Sequence, residues 1–397
     1  MPMPNPAILL PLLANVTSWI MGLQLETNHL VGVADTLKQS IFINGNLARV
    51  LLASHKLTPN PAHLAKGLAW CDALVALQHT GEECVTHDGA QPCGWWDTGY
   101  DELYLADTGT AVTTLALCFD LGRKPSHLAA LNLFDAFVRK GVAATPRCAP
   151  LLPGKTDCSY DGGRNETAAG WIIGDGPDAG ALGDGYYKEA LNTMPYTIST
   201  ALAGGVFYAE LYALGGGGAP AQLGVADGAV SWLLRHIQPN GTIPYIIDPP
   251  SALDHTYQCI SYSTEAFVDL HLRGGAAALP KLRAGLAPTI EYILGRQDAS
   301  SGALLPGNAT SSAALRGEIQ RSARAASLLQ WWHQAVDPAD ERLPAAVDKY
   351  IRWLGTEAGA ANEGLNSWAL PTGFIGLVIA DLVDPSWPTF TSWRPAA

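Results

Sequence analysis

Three joints along this 397-residue chain share one make-up. A helical stretch ends in Gln, a glycine-containing loop follows, and a second helical stretch begins. The first joint is Gln78-His79-Thr80-Gly81 and the second is Gln238-Pro239-Asn240-Gly241-Thr242-Ile243-Pro244. The third runs from Gln297-Asp298 through Gly302-Ala303-Leu304-Leu305-Pro306. A longer joint spans Arg139 to Thr193. Equivalent positions are roughly 55 to 75 residues apart, longer than most solenoid periods. Apolar residues recur at helical spacing throughout, and alternating strand patterns are almost absent. This periodicity predicts twelve helices, over 6–22, 31–55, 60–79, 101–121, 125–142, 194–214, 219–237, 255–273, 277–296, 311–336, 340–358 and 366–383. Asn60-Pro61, Thr193 before Pro195, and Asp340-Glu341 supply start signals.

The helices pair into hairpins. The second member is small and apolar on every side, as in Thr108-Gly109-Thr110-Ala111-Val112 and Thr200-Ala201-Leu202-Ala203-Gly204. Such a helix is buried all round. First members carry charge on one face, as at Lys281, Arg283, Asp340 and Arg342. The expected fold is all-α: an (α/α)6 toroid of six helical hairpins, one domain over 1–397, with long loops on one rim. The apolar segments 6–22 and 366–383 are expected to pack together and close the ring. The alternative, an open stack of hairpins, would end in polar outer faces.

Composition narrows the partners. Hydrophobic residues make up 48% and charged residues 15%, enough apolar matter for a large core and the opposite of a disordered chain. A net charge of -12 argues against nucleic acid. No unbroken apolar run reaches about 18 residues, so no membrane partner is expected. The run Ala7–Ala14 has the length of a signal core, but Lys38 is the first basic residue. A first amphipathic helix is therefore preferred to a retained signal peptide. Acceptor sequons start at Asn15, Asn165, Asn240 and Asn308. Two close cysteine pairs, Cys84/Cys93 and Cys148/Cys158, lie in loop-like stretches and are expected to be disulfides. Cys71, Cys118 and Cys259 lie in apolar helical stretches, where buried thiols are the default. These features predict a secreted glycoprotein. No C-x-x-C occurs, and neither a metal nor a cofactor is expected.

The densest chemical cluster runs from Trp95 to Asp107. It holds the aromatics Trp95, Trp96, Tyr100 and Tyr104 and the carboxylates Asp97, Asp101, Glu102 and Asp107. Aromatic faces stack on pyranose rings, and carboxylates bind hydroxyls and transfer protons. The plain alternative is an Asp cap with Trp loop anchors. Within it, Asp101-Glu102-Leu103-Tyr104-Leu105 resembles the Asp-x-Leu-Tyr-Met segment of unsaturated glucuronyl and rhamnogalacturonyl hydrolases, members of the six-hairpin glycosidase superfamily. The resemblance implies an (α/α)6 barrel and a general acid/base role for Asp101. Leu105 stands where that family has Met.

A second rim loop, Trp171 to Lys188, offers Trp171, Tyr186 and Tyr187 to a substrate, or is a surface loop held by Cys148/Cys158. Its glycines do not make a phosphate loop, because neither a preceding strand nor a following Gly-Lys-Ser/Thr is present. His255, Tyr262 and Glu265 open another inner helix. A carboxylate at Glu265 must be paired or carry a raised pKa. Glu318 and Arg321 follow, with Arg321 a candidate clamp for a substrate carboxylate or a helical ion-pair partner. Trp368 begins the last inner helix.

No Gly-x-Ser-x-Gly elbow, His-Glu-x-x-His pair or dinucleotide fingerprint occurs. The expected function is a secreted glycoside hydrolase acting on a poly- or oligosaccharide, neutral or acidic. Asp101 is the expected acid, assisted by Asp97, Asp107, Glu265 or Glu318. A polysaccharide lyase with a Tyr or His base is one alternative. A non-catalytic glycan-binding glycoprotein is another.

Overall fold

The computed structural model describes residues 6–23, 41–80, 94–96, 103–140, 171–187, 190–192, 195–245, 256–305, 324–366 and 369–383. Outer helices are α1 (Pro6–Gly22), α3 (Pro61–Leu77), α5 (Pro125–Lys140), α7 (Pro220–Arg235), α9 (Leu279–Gly295) and α11 (Arg342–Leu354). Inner helices are α2 (Ile41–Leu57), α4 (Leu105–Gly122), α6 (197–214), α8 (Thr256–Gly274), α10 (Ala325–Ala335) and α12 (Ala369–Val383). Each inner helix packs on the next, and α12 packs on α2, so the ring closes. Helix α1 lies against α12, as their shared apolar character requires. This is the (α/α)6 toroid.

Local sequence explains the division into two rings. Every residue of α12 from Ala369 to Leu382 is buried, as expected of an inner helix without a polar face. Helix α11 instead buries Leu343, Val347, Tyr350, Ile351 and Leu354, and turns Arg342, Asp348 and Arg352 outward. At the start of α3, Asn60 Oδ1 accepts hydrogen bonds from Ala62 N and His63 N, at 3.0 and 3.4 Å. Pro61, lacking an N–H, fits the first helical position beside it.

Two of the three glutamine joints share one mechanical device, whereas Gln238 Nε2 donates to its own neighbour His236 O. Gln78 Nε2 donates to Gly94 O and to Ala130 O of α5. Gln297 Nε2 donates to Gly302 O and to Ala346 O of α11. Each glutamine thus ties its own loop to the next outer helix. The loop glycines Gly94, Gly180, Gly241 and Gly302 all have positive φ. They press on backbone carbonyls of the following outer helices, at Leu133, Gly228, Pro288 and Lys349. A Cβ on Gly302 would stand 2.6 Å from Lys349 O. Gly302→Ala is therefore expected to cost about 2 to 4 kcal/mol, from a left-handed Ala and a forced backbone shift. A urea midpoint equal to wild type would show that the loop is not anchored this way.

Three expectations need correction. Leu103 and Tyr104 are not helical. They form β1 (Leu103–Tyr104), antiparallel to β2 (Gly185–Tyr187), which pairs with β3 (Ala190–Asn192). Strands this short leave no legible alternation in a sequence. Inner helix α10 starts at Ala325, after Arg324 with φ 57°. Cys71 and Cys118 are not thiols. They are bridged between the packed helices α3 and α4, with Cα atoms 6.4 Å apart. Their 47-residue separation hid a neighbour relation that the hairpin creates. Closing a loop of that length contributes about 4 kcal/mol. Cys71→Ala should lower the unfolding free energy by that order, and loss of under about 1 kcal/mol would contradict a formed bridge. Cys259 is a buried thiol, as expected.

Candidate active site

Charged side chains fill the barrel axis. Glu265 of α8 receives Arg49 of α2 at 2.5 Å and 3.4 Å, and also pairs with Arg324 ahead of α10. Arg324 Nε lies 3.7 Å from Asp381 of α12, which accepts from Ser327 Oγ at 2.7 Å. Arg49, Glu265 and Arg324 are each 2% exposed and Asp381 is 0% exposed. Burial lowers the Arg49 guanidinium to about 10 and that of Arg324 to about 9, against the pull of Asp381 on both. Both stay charged at neutral pH. The left-handed backbone at Arg324 is strained for an arginine, and this clamp is what holds it. Further along the axis, Arg273 of α8 pairs with Glu210 of α6 at 3.1 Å.

Above this column lie a carboxylate and three tyrosines. Asp107 sits in the first turn of α4, half-buried. Burial pushes its carboxyl up to about 7. Tyr262 of α8 is 4% exposed and packs edge-on to Phe374, with centroids 5.5 Å apart. Burial raises its phenol far above the ordinary range; the charge of Asp107 adds to this and Arg324 and Arg49 oppose it. Tyr196, at the entry to α6, meets Tyr245 edge-on at 4.8 Å. Burial raises both phenols, Tyr245 to about 12, with Asp184 contributing to each. Asp184 is itself buried, and its backbone carbonyl accepts Leu105 N at 2.7 Å. That bond sets Asp184 beside the start of α4. Asp107, Asp184, Tyr196, Tyr245 and Tyr262 thus share one neighbourhood.

Asp184, Tyr196 and Tyr245 were not legible as site residues. They lie in separate loops, and only ring closure brings them together. Their one sequence signal is position, at the ends of loops that enter inner helices. Glu265 has the pairing that its burial demands, so it is a buried ion-pair member, not a free acid. Trp96 and Trp171 are core anchors. Trp96 is 0% exposed and donates to Leu74 O at 2.7 Å, and Trp171 is buried against Phe137. Trp95 is half-buried and stacks on His79 at 4.0 Å. Tyr104 is half-buried at the start of α4, and the backbone of Tyr186 and Tyr187 lies in β2. Asp97, Tyr100, Asp101, His255, Glu318, Arg321 and Trp368 lie outside the described residues, as do Cys84, Cys93, Cys148, Cys158, Asn165 and Asn308. Among the described residues, no cluster of His, Cys, Asp or Glu could hold a metal ion. No described helix is long and apolar enough to cross a membrane.

Solved structures with the same arrangement include proteins named for activity on carbohydrates. The alpha-1,6-mannanase from Salegentibacter sp. HEL1_6 superposes with a TM-score of 0.56 at 11% identity, over 94% of this chain and 98% of that one. A polysaccharide lyase superposes at 0.59 and 10% identity, over 95% and 97%. Cellobiose 2-epimerase from Spirochaeta thermophila DSM 6192 gives 0.57 and 13%, over 89% and 86%. The likeness is one of fold, the (α/α)6 toroid. No family model and no curated protein matches the sequence. An inactive form of the mannanase carries changes at two consecutive aspartates. The present chain contains no two consecutive aspartates.

Proposed function

We propose that this chain is a glycoside hydrolase on which Asp107 is the general acid. One observation carries the reading: a carboxyl raised to about 7, at the end of an inner helix, among aromatic hydroxyls. A carboxylic acid that keeps its proton near neutrality can deliver it to a departing glycosidic oxygen. Half-buried Tyr245 gives a stacking face for a sugar, and the buried Tyr196 and Tyr262 wall the site beside it.

The same geometry disfavours a lyase run by these tyrosines. A tyrosine base must lose its proton near the working pH, and burial pushes Tyr196, Tyr245 and Tyr262 the other way. The second carboxylate of a hydrolase would be Asp184, or Asp101 as the resemblance to uronyl hydrolases implies. Either would act on the face of the sugar opposite the acid, as the base that activates water or as the nucleophile that attacks the anomeric carbon. Every described guanidinium of the barrel column is matched with a buried carboxylate, which favours a neutral poly- or oligosaccharide over a uronate. The buried Cys71–Cys118 bridge supports secretion into an oxidising compartment.

The test is a panel of neutral and acidic oligosaccharides, alpha-mannans included, read for both new reducing ends and ultraviolet absorbance. Reducing ends lost in Asp107→Asn support the assignment. New absorbance would establish elimination and overturn it. An Asp101→Asn variant run in parallel separates the two candidate acids.

A further inference from the structure

The joint between α7 and α8 holds a chemical feature that the site does not use. Asn240-Gly241-Thr242 is an acceptor sequon at the tip of a tight turn, and Asn240 is exposed. Gly241 N donates to Gln238 O at 2.8 Å, and Gln238 N donates to Thr242 O at 2.9 Å. Thr289 Oγ1 of α9 donates to Gly241 O at 2.9 Å and fixes the turn to the outer ring. Inside the turn, Thr242 donates twice to Asn240 Oδ1, from its backbone N at 3.1 Å and from Oγ1 at 2.8 Å. Two donors on one amide oxygen draw electron density towards it and make the Nδ2 protons more acidic. Among the described residues, nothing bonds Nδ2 itself.

The other described sequon is arranged differently. Asn15 lies mid-way along α1, exposed, but its partner Thr17 is buried. Thr17 Oγ1 donates to Leu13 O at 2.9 Å and to Ala14 O at 3.1 Å, so the hydroxyl serves the helix and not the Asn15 amide. The contrast is local in origin. Asn-Gly-Thr is a turn sequence whose side chain bonds its own backbone two residues on, so a nascent chain can adopt it without the rest of the barrel. Asn-Val-Thr sits in an apolar helical segment.

We propose that Asn240 is an N-glycosylation site of this protein and that Asn15 is not. The donor class is an oligosaccharide joined through its anomeric carbon to a lipid pyrophosphate. Nδ2 attacks that carbon, a C–N bond forms, and the C–O bond to the pyrophosphate breaks. The lipid pyrophosphate leaves with the electron pair, and one Nδ2 proton passes to a base on the transferase. The reaction belongs to the secretory route, the same setting that the buried disulfide requires. It is independent of the catalytic reading.

The experiment expresses the full chain behind a heterologous secretion signal in a glycosylating eukaryotic host. Secreted protein is digested and its glycopeptides are mapped by mass spectrometry. Expected are a glycan on Asn240 in most molecules and an unmodified Asn15. Asn240→Gln and Thr242→Ala should each remove one glycan, whereas Thr242→Ser should retain it at lower occupancy. Asn240 lies outside the catalytic neighbourhood, so turnover and urea midpoint should match wild type in Asn240→Gln. Secreted protein with a bare Asn240 overturns the proposal, and a glycan found on Asn15 overturns its second half.

Discussion

Asp107→Asn is expected to lower turnover by about 10²- to 10⁴-fold, the usual worth of a positioned proton donor. Substrate binding should change little, because Asn keeps the size and hydrogen-bonding capacity of the acid. The same substitution should also raise stability in alkaline solution. Unfolded Asp titrates near 3.9, whereas folded Asp107 titrates at about 7. Between those values the folded chain holds a proton that the unfolded chain has lost. Stability therefore falls as pH rises through this window, and the loss is complete above about 7. Asn has no proton to lose, so the variant should exceed wild type by about 4 kcal/mol at pH 8 and match it near pH 4. Wild-type kcat/KM should fall as pH passes about 7, when the acid ionises. A variant that turns over normally removes Asp107 from the mechanism. A stability difference independent of pH would mean that the carboxyl is not raised.

How far the sequence reached depends on the range of each interaction. The joints were legible because their determinants are local: a Gln at a helix end and a glycine a few residues on. Gln78 and Gln297 do in the fold what their matching contexts implied. The inner and outer rings were legible because side-chain polarity repeats at helical spacing. Local reasoning failed for Cys71 and Cys118, which read as thiols in separate helices but meet across a helix interface. It failed for Trp96 as well. An indole in a loop reads as a sugar platform, yet this one closes the gap between α3 and α5. Glu265 shows the intermediate case. Its burial demanded a partner, but Arg49 lies 216 residues away in another inner helix and carries no mark of the pairing. Asp184 and Tyr245 were hidden for the same reason, since no residue beside them in sequence shares their task.

Glu265→Leu is expected to cost about 3 to 5 kcal/mol of stability, the largest single loss anticipated outside the disulfide. The wild-type column sets two arginines, Arg49 and Arg324, against two carboxylates, Glu265 and Asp381. Removing Glu265 takes away the direct partner of both guanidiniums where side chains are no more than 3% exposed, and leaves them the less direct pull of Asp269 on Arg49 and of Asp381 on both. Desolvation already pulls both arginines below their ordinary range, so little remains to hold their charge. Loss of the direct partner of two buried guanidiniums sets the cost. The double variant Arg49→Met with Glu265→Leu keeps the Arg324–Asp381 pair and should recover most of the loss, because a buried ion pair is roughly matched by apolar groups of its size. Urea midpoints of the two variants decide the matter. A single substitution costing under about 1 kcal/mol would mean that water reaches the axis. A double variant no better than the single would mean that Arg49 is needed for its own sake. In that event its influence on Tyr262 becomes the reason to look for it in catalysis.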